Sequence, residues 1–522
     1  MALDSSVMNV SIAQVANDLG TTVTGIQTAI TLYTLVMATL MITGGKIGAI
    51  IGRRKAFSIG CIIYGAGSLT TSLAPNLTVL IIGWSGLEGI GAALIMPAVV
   101  ALVAGNFPAE RRAHAYGMIA SAAAIAVAVG PLIGGMVATY FSWRWVFAGE
   151  VVVVLVILVL ARRIADAPAE GHKRLDLVGT LLSVVGLGMA VFGVLRSSEW
   201  GWINPKPGGP SILGLSPTIV LIIGGLFVVW LFIVWEKRLE RKGADPLVEP
   251  EILKNHQLSG GLIMFLLQYL LQAGVFFIVP LFLSVVLELT PLETGARLIP
   301  LSIALLIAAA GIPKVWPHVS PRRMVRIGVL LLLAGILVLM TGIHLDANAG
   351  VVAIPMLLIG LGIGALASQL GAVTVSAVPD DQSSEVGGLQ NTATNLGASL
   401  GTAFAGSVMI AVLTSSFIAG ITNNPDVPAS VASQVTVQLS SGAPFISDTA
   451  LEANLTKAGA SQQISTAVLD ANRTARIQAL DAALGVLGVI AVVALFFTGR
   501  IPTRQPGSEE KEPAEPVPSA ST

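Results

Sequence analysis

The sequence has few of the residues on which soluble proteins and many enzymes depend. Charged side chains make up 11% of its 522 residues, whereas about 25% is usual in soluble domains. The single cysteine, Cys61, excludes an intramolecular disulfide and a CxxC metal site, and the five histidines are scattered. The formal net charge is zero, so no basic surface for nucleic acid is indicated. A soluble fold is therefore excluded, and neither a nucleic-acid partner nor a metal site is expected.

Apolar residues account for 54% of the chain and 56 residues are glycine, a composition typical of closely packed membrane helices. About 20 apolar residues are needed to cross a bilayer as a helix. Runs of this kind are continuous rather than alternating, which favours helices over transmembrane strands. Fourteen spans are predicted, near residues 1–17, 26–44, 56–74, 77–104, 115–139, 145–161, 176–196, 216–235, 258–287, 294–314, 324–345, 350–377, 386–418 and 479–499.

The distribution of basic residues predicts the orientation of these spans. With fourteen spans and both termini in the cytoplasm, 22 of the 29 Lys and Arg residues fall on the cytoplasmic side, as the positive-inside rule requires. The first span is short and contains polar residues, including Asp4 and Asn9. Either the natural chain begins upstream of Met1, or this helix is sheltered by its neighbours.

An internal repeat indicates two related halves. Gly117 and Gly130 are thirteen positions apart, and so are Gly388 and Gly401. We therefore predict an all-α membrane protein with two six-helix bundles and two extra central helices. The predicted parts are an N-terminal bundle at 1–161, a linker with the extra helices at 162–257, a C-terminal bundle at 258–499 that includes a polar outer loop at 419–478, and a disordered cytoplasmic tail at 500–522.

Four segments carry a resemblance to a known family, namely LDSSVMNV at 3–10, GKIGAIIGRR at 45–54, GLEGIGAA at 86–93 and AVAVGPLIGG at 126–135. Together they resemble the major facilitator superfamily, and within it the fourteen-helix drug:proton antiporters. The resemblance implies a cytoplasmic loop motif and an antiporter motif on the fifth helix. The first comprises Gly45, Gly48, Gly52, Arg53 and Arg54, and the second comprises Gly130, Pro131, Gly134 and Gly135.

The motifs depart from the family pattern at three positions. Ala49 and Ile50 stand where the loop motif usually has an acid and then a base, so the usual charge latch is expected to be weaker. Ser85 stands where the fourth helix usually has an arginine, three residues before Glu88. Proton coupling assisted by an arginine is therefore not assumed there.

Asp4 and Glu88 are the predicted proton carriers, because an acid within a membrane span is costly and usually serves a proton or substrate path. Alternatively, Asp4 is a solvated acid near the terminus, and Glu88 is a neutral acid that makes one interhelical hydrogen bond. For Glu150 we favour a structural role, paired with Arg144 near the outer surface.

The antiporter motif and a group of amides have two interpretations each. Proline and glycine within a span indicate either a pliable helix or a merely kinked packing helix. Amide side chains either line a substrate cavity or hold helices together. The amides considered as cavity residues are Gln268, Gln272, Gln390, Asn391 and Asn395.

The leading hypothesis is a monomeric secondary exporter in the cytoplasmic membrane. Its two bundles rock about a central site and exchange protons for a drug or another amphipathic or cationic small molecule. We expect no enzymatic activity and no cofactor, with the proton gradient as energy source. Two alternatives remain: an exporter of an endogenous lipid or secreted metabolite, and a non-transporting membrane scaffold or sensor.

Overall fold

A computed structural model describes the chain except residues 1, 107–121, 123–124, 127–128, 166–174, 207–208, 317, 346, 379–382, 426, 430–431, 434–438, 440–442 and 505–522. The described residues are almost entirely helical, and among them a single isolated bridge joins Ile212 to Leu215. Residues 505–522 of the predicted tail and part of the fifth span, with Gly117, lie outside the described residues.

Eighteen helices are numbered here in chain order. They are α1 (Ala2–Val10), α2 (Ile12–Asp18), α3 (Val23–Ile51), α4 (Arg53–Ser72), α5 (Leu77–Leu80), α6 (Gly89–Asn106), α7 (Val129–Tyr140), α8 (Arg144–Ala161), α9 (Leu177–Trp200), α10 (Pro217–Arg241), α11 (His256–Leu281), α12 (Pro291–Arg297), α13 (Ile299–Val315), α14 (Pro321–Gly342), α15 (Ala353–Val375), α16 (Ser383–Thr422), α17 (Asp448–Lys457) and α18 (Gln462–Phe497). Two π-helical stretches, Ile81–Glu88 and Phe282–Val286, continue α5 and α11.

Eleven helices in the described part of the chain are long and apolar enough to cross a membrane. The other three predicted spans coincide with α1 and α2, with α4, and with α7. These helices are shorter or less apolar than the eleven. The first is broken at Ser11, α4 begins with the basic Arg53–Lys55, and α7 is short. The all-helical membrane fold predicted from the sequence is confirmed, and the number of spans agrees with it.

Local signals explain where the helices begin. The Thr22 side chain accepts a hydrogen bond from the Gly25 amide at the start of α3, and Asn76 does the same for α5. At α12, Thr290 and Glu293 form a reciprocal capping box. Such side chains satisfy amides that have no partner within the helix.

The seam between the two halves is formed by α3 and α16. Gln27 donates to the Thr402 carbonyl at 3.1 Å, and Ser399 donates to the Thr31 carbonyl at 2.9 Å. Beside this seam lies the extra pair α9 and α10. Within the pair the backbones approach closely, since a Cβ added at Gly225 would lie 2.6 Å from the Gly186 carbonyl oxygen.

The extra pair contacts both halves. The hydroxyls of Thr43 on α3 and Thr180 on α9 are 3.3 Å apart. Ser407 on α16 donates to the Val194 carbonyl on α9 at 2.8 Å. Helix α9 therefore packs against the seam itself, and α10 packs against α9.

The predicted polar loop at 419–478 contains ordered helices in its described part. Helix α18 begins at Gln462, well before its apolar portion. Arg476, 1% exposed, donates to the carbonyls of Val285 at 3.1 Å and Ile446 at 3.0 Å and contacts Asp448 at 2.5 Å. Arg476 therefore links the segment around α17 to the π-helical stretch that continues α11.

Candidate proton-binding site

Asp4 lies at the centre of a buried polar cluster. It is 0% exposed, and its Oδ1 accepts from the Ser5 amide at 2.7 Å. Its Oδ2 accepts from the hydroxyls of Tyr33 at 3.3 Å and Tyr64 at 3.1 Å and from Trp84 Nε1 at 3.3 Å. Asp4 is therefore not a solvated acid near the terminus in this structure, and its carboxyl group is held by donors from α1, α3, α4 and the π-helical stretch.

Glu88 occupies the last position of the π-helical stretch Ile81–Glu88 and is 0% exposed. Neither carboxyl oxygen has a hydrogen-bond partner among the described residues. An anion buried without donors is strongly unfavourable, so this environment suits the protonated acid. Wide π turns are frequent at functional sites because they re-aim a side chain without ending the helix.

Glycines allow α4 to approach this π-helical stretch. A Cβ added at Gly67 would lie 2.7 Å from the Glu88 amide nitrogen, and one at Gly83 would lie 2.8 Å from the Thr71 nitrogen. Such contacts are too short for any side chain. The absence of a Cβ at both positions therefore lets α4 support the backbone that carries Glu88.

Glu150 joins the cluster, and its predicted pairing with Arg144 is wrong. One carboxyl oxygen from each of Asp4, Glu88 and Glu150 lies within 4.8 Å of the other two. Arg144 instead donates to the Ala74 carbonyl at 2.9 Å and faces Asp18 at 3.8 Å. Six helical positions separate residues 144 and 150, which places them on different faces of α8.

Glu150 is partly buried. Its Oε2 is 3.1 Å from the Tyr64 hydroxyl and 3.3 Å from the Ser68 hydroxyl. Tyr64 therefore contacts Glu150 and Asp4 with the same oxygen atom. A signal for Glu150 was present in the sequence, since it is an acid inside an apolar run, but it lies outside the family motifs.

Aromatic rings line the cluster. Tyr33 and Trp84 are stacked with their ring centroids 4.9 Å apart, and Phe147 packs edge-on against Trp84 at 6.4 Å. All three are at most 1% exposed. A wall of this kind excludes water and strengthens the electrostatic interactions among the carboxyl groups.

The antiporter motif packs α7 against two other helices. A Cβ at Gly135 would lie 2.3 Å from the Pro291 carbonyl oxygen, and one at Gly295 would lie 2.2 Å from the Pro131 carbonyl oxygen. This reciprocal pair brings α7 and α12 into backbone contact across the two halves. Gly130 is buried on the same helix.

The same motif contacts the helix of Asp4. A Cβ at Gly134 would lie 2.5 Å from Val7 Cγ2. Residues 4 and 7 are about one turn apart on α1, so α7 contacts the same helix that carries Asp4. The motif is thus positioned between the carboxyl cluster and the second half, whichever interpretation of its flexibility applies.

The predicted loop motif forms the junction of α3 and α4. Gly52 has φ +102°, a conformation that L-residues rarely adopt. Arg53 donates to the Gly45 carbonyl at 3.0 Å, and Arg54 donates to the Ile164 carbonyl at 3.1 Å. Gly48 accepts a hydrogen bond from the Gly52 amide at 3.2 Å.

The departures from the family motifs have simple structural consequences. Helix α3 runs through Ala49 and Ile50 and ends at Ile51, with Ala49 buried. Ser85 donates to the Ala29 carbonyl at 2.8 Å and is 1% exposed. The serine therefore links the π-helical stretch to α3 through a hydrogen bond between uncharged groups.

The amides predicted as cavity residues lie on α11 and α16. Gln268 is 3% exposed, and its Oε1 has no partner among the described residues, while Gln272 on the next turn is partly buried. Gln390 donates to Thr374. Asn391 and Asn395 bond back to α16 itself, through the carbonyls of residues 387 and 391.

Gln27, which the sequence did not single out, is the amide that joins the two halves. Two cavities of about 630 and 440 Å³ lie elsewhere, beside the polar part of α18. They share Asp470 and Thr474 and contain none of the predicted site residues.

The sequence is similar to known membrane transporters. A sequence model of the Major Facilitator Superfamily matches residues 1–402. The puromycin resistance protein pur8 of Streptomyces alboniger is 30% identical over 415 residues, covering 78% of this chain and 79% of that protein. The multidrug efflux pump LfrA of Mycolicibacterium smegmatis is 26% identical over 500 residues, covering 95% and 94%.

Solved structures agree in fold. A peptide transporter POT in complex with sulfate has a TM-score of 0.59 at 14% identity, covering 96% of this chain and 93% of that one. A bacterial homologue of the human lysosomal transporter Spinster, in an inward-facing and occupied conformation, has a TM-score of 0.56 at 16% identity, covering 96% and 94%. From its helical architecture and these matches, the chain is a multi-pass membrane transporter that belongs to the Major Facilitator Superfamily.

Proposed function

We propose that this chain exports drugs or other amphipathic or cationic small molecules across the bacterial cytoplasmic membrane in exchange for protons. The observation that carries the proposal is the position of two buried acids, Asp4 and Glu88, close to each other. These two acids come from separate helices, and one carboxyl oxygen of each lies within 4.8 Å of the other. Both are 0% exposed, so adding or removing a proton there changes the free energy of the site by a large amount.

Coupling requires that protonation favour one facing of the transporter and that substrate favour the other. A charge change at Asp4 acts on α1, and α1 contacts α7 where Gly134 meets Val7. Helix α7 in turn contacts the second half at Pro291. This route connects the proton site to the movement of the two halves, with no cofactor required.

The orientation proposed is the one predicted from the basic residues, with both termini in the cytoplasm. Two relatives are named for resistance or efflux, pur8 and LfrA. A third is the tetracenomycin C resistance and export protein of Streptomyces glaucescens, 28% identical over 411 residues. These names support export of small organic compounds and favour a transporter over a scaffold.

The test uses purified protein in liposomes with an imposed pH gradient and ethidium as the transported probe. We expect ethidium flux that stops when an uncoupler is added, and that is lost in the Asp4→Asn and Glu88→Gln variants. Glu452→Gln, an exposed position on α17, is the matched control and keeps the wild-type flux. Gradient-driven flux retained in the Asp4→Asn, Glu88→Gln double variant would refute the assignment of these residues.

A narrower cargo is the second candidate, because the tetracenomycin C protein is named for export of one secreted compound. In that case ethidium and other unrelated cations are not transported. Deletion of the gene then leaves drug tolerance unchanged and alters the lipids or secreted metabolites of the cell. A deletion strain with normal metabolites and increased drug sensitivity would contradict this candidate.

A further inference from the structure

We propose that Asp176 and Glu236 bind one proton between them, and that this proton holds the connection between α10 and α11, residues 242–255, against the end of the seam. The proposal adds a proton site that lies outside the carboxyl cluster of Asp4. It does not depend on which compound the chain exports. It starts from a place where two carboxyl groups meet over a glycine.

Gly179, the third residue of α9, leaves room for both carboxyl groups. A Cβ added there would lie 2.2 Å from Asp176 Oδ2 and 2.4 Å from Glu236 Oε1. Both distances start from the same point, so the two oxygens are no farther apart than these distances laid end to end. The two acids are therefore close neighbours, where α9 begins and where α10 nears its end.

Glu236 has one carboxyl oxygen with donors and one without. Its side chain is 1% exposed, and Oε2 accepts from the amides of Leu247 at 2.6 Å and Val248 at 3.1 Å. Oε1, the oxygen beside Asp176, has no hydrogen-bond partner in the described part of the chain. A buried oxygen of this kind is costly as an anion, whereas a protonated carboxyl group has a hydrogen to donate.

Asp176 supplies the acceptor for that hydrogen. Its Oδ1 accepts from the Val178 amide at 3.1 Å and thereby caps α9, and its Oδ2 accepts from Trp235 Nε1 at 2.8 Å. Donors thus reach every oxygen of the pair except Glu236 Oε1. One proton on Glu236 Oε1, donated to Asp176 Oδ2, completes the set and removes the repulsion between two neighbouring anions.

The same proton acts on the connection, because the other oxygen of Glu236 holds the backbone at 247–248. When the proton is lost, two anions stand side by side and repel each other. Glu236 then moves away from Asp176, and the two amides lose the acceptor that holds them. The protonated pair therefore favours a closed connection, and the deprotonated pair favours an open one.

The closed connection contacts both halves of the molecule. Leu247 and Val248 belong to one apolar cluster with Val386 and Leu389 of α16, and Ile42 of α3 packs against the same cluster. Helices α3 and α16 form the seam, so the connection lies at one end of it. In the orientation proposed above this end faces the cytoplasm, and the shared proton makes it sensitive to cytoplasmic pH.

The direction of this response follows from the charged groups at the contact. Asp176 faces Glu236 from α9, and the connection contributes Glu249, whose amide donates to Glu385 Oε1 on α16 at 2.8 Å. The closed form holds one proton that the open form releases. The closed connection is therefore stable at low pH, and this stability is lost as the pH rises.

The experiment measures how fast trypsin cuts the full chain at Lys242 and Lys254 in the connection, in detergent micelles between about pH 6 and about pH 8. Each rate is divided by that of Glu236→Gln at the same pH, which cancels the response of the protease to pH. The glutamine amide donates to Asp176 as the protonated acid does, so this variant stays closed. We expect the wild-type ratio to rise by about tenfold, because cleavage follows the population of the open connection and opening releases one proton.

Two further variants and one direct measurement complete the test. Asp176→Asn removes the repulsion from the other side, so its ratio should not change with pH, and it replaces Glu236→Gln as the reference if that variant fails to fold. Asp245→Asn changes an exposed acid of the same connection and keeps the wild-type response. The infrared carbonyl band of a protonated carboxyl group, present in wild type at about pH 6 and reduced in Glu236→Gln, reports the proton itself.

Four results overturn the proposal. The first is a wild-type ratio that stays constant with pH, and the second is a pH response that persists in Asp176→Asn. A response that disappears in Asp245→Asn assigns it to the wrong acid. A ratio that ignores pH but falls when Na⁺ or Mg²⁺ is added shows that the pair binds a metal cation instead of a proton. None of these results bears on proton-driven export, which the ethidium flux tests separately.

Discussion

Adding one methyl group to the antiporter motif should force α7 and α12 apart. In Gly135→Ala the new Cβ would lie 2.3 Å from the Pro291 carbonyl oxygen. Ordinary contact begins at 3.4 Å, so the two backbones must separate by about 1 Å. The obstacle is backbone rather than a flexible side chain, and no rotamer change relieves it.

The expected cost follows from overpacking. Inserting a methyl group into a close-packed interface costs about 1–3 kcal/mol, and we expect Gly135→Ala to lower the free energy of unfolding by this amount in detergent micelles. Gly311→Ala is the matched control, because nothing lies within 4 Å of its added Cβ on α13. There the same substitution should stabilise the protein by up to about 1 kcal/mol, since alanine favours the helix.

The second glycine of the α7–α12 contact, Gly295, provides a further test of this prediction. Gly295 faces the Pro131 carbonyl oxygen one turn away from the Gly135 contact, so both alanine variants require the same separation of α7 from α12. Once the helices have moved for one substitution, the second costs less, and the two effects should be less than additive. Additive losses, or a Gly135→Ala protein as stable as Gly311→Ala, would refute the close contact described here.

Two further predictions concern the ends of the fold. Arg476→Ala should lower the free energy of unfolding by about 2 kcal/mol or more, because the buried carbonyl of Val285 loses its Arg476 donor and the carbonyl of Ile446 loses one of its two side-chain donors; unchanged unfolding in a denaturant titration would contradict this. Glu236→Ala should speed tryptic cleavage of the connection between α10 and α11, since the Glu236 carboxyl accepts from the Leu247 amide at 2.6 Å, and an unchanged cleavage rate would show that other contacts hold this connection.

The spans were predictable because hydropathy is a one-dimensional property. The predicted run at 294–314 falls within Pro291–Val315, and the run at 350–377 largely coincides with Ala349–Val375. Helix α18 is the informative exception. Its apolar portion was predicted, but the helix begins earlier, at Gln462. Its polar turns contact the α17 segment, where Arg473 donates to Asp448, and hydropathy does not register such contacts.

The carboxyl cluster was predictable only in part. Asp4 and Glu88 were singled out as acids in apolar surroundings, and they lie together in the structure. Glu150 has the same signal, yet its partners lie 62 or more positions away in the chain, so the choice between them and the nearby Arg144 depends on the fold. The π-helical turn that aims Glu88 also has no signature in the hydrophobic pattern.

The seam between α3 and α16 bears on how such a chain can diverge in sequence. Gln27 and Ser399 each donate to a backbone carbonyl of the opposite helix. A carbonyl is present whatever side chain its residue carries, so substitution at the accepting positions leaves these bonds intact. An exception is Gly406, where a Cβ would overlap the Gln27 amide. Most side chains at the accepting positions of the seam can therefore be substituted while the two halves keep their register, provided that the donors Gln27 and Ser399 and the glycine Gly406 are retained.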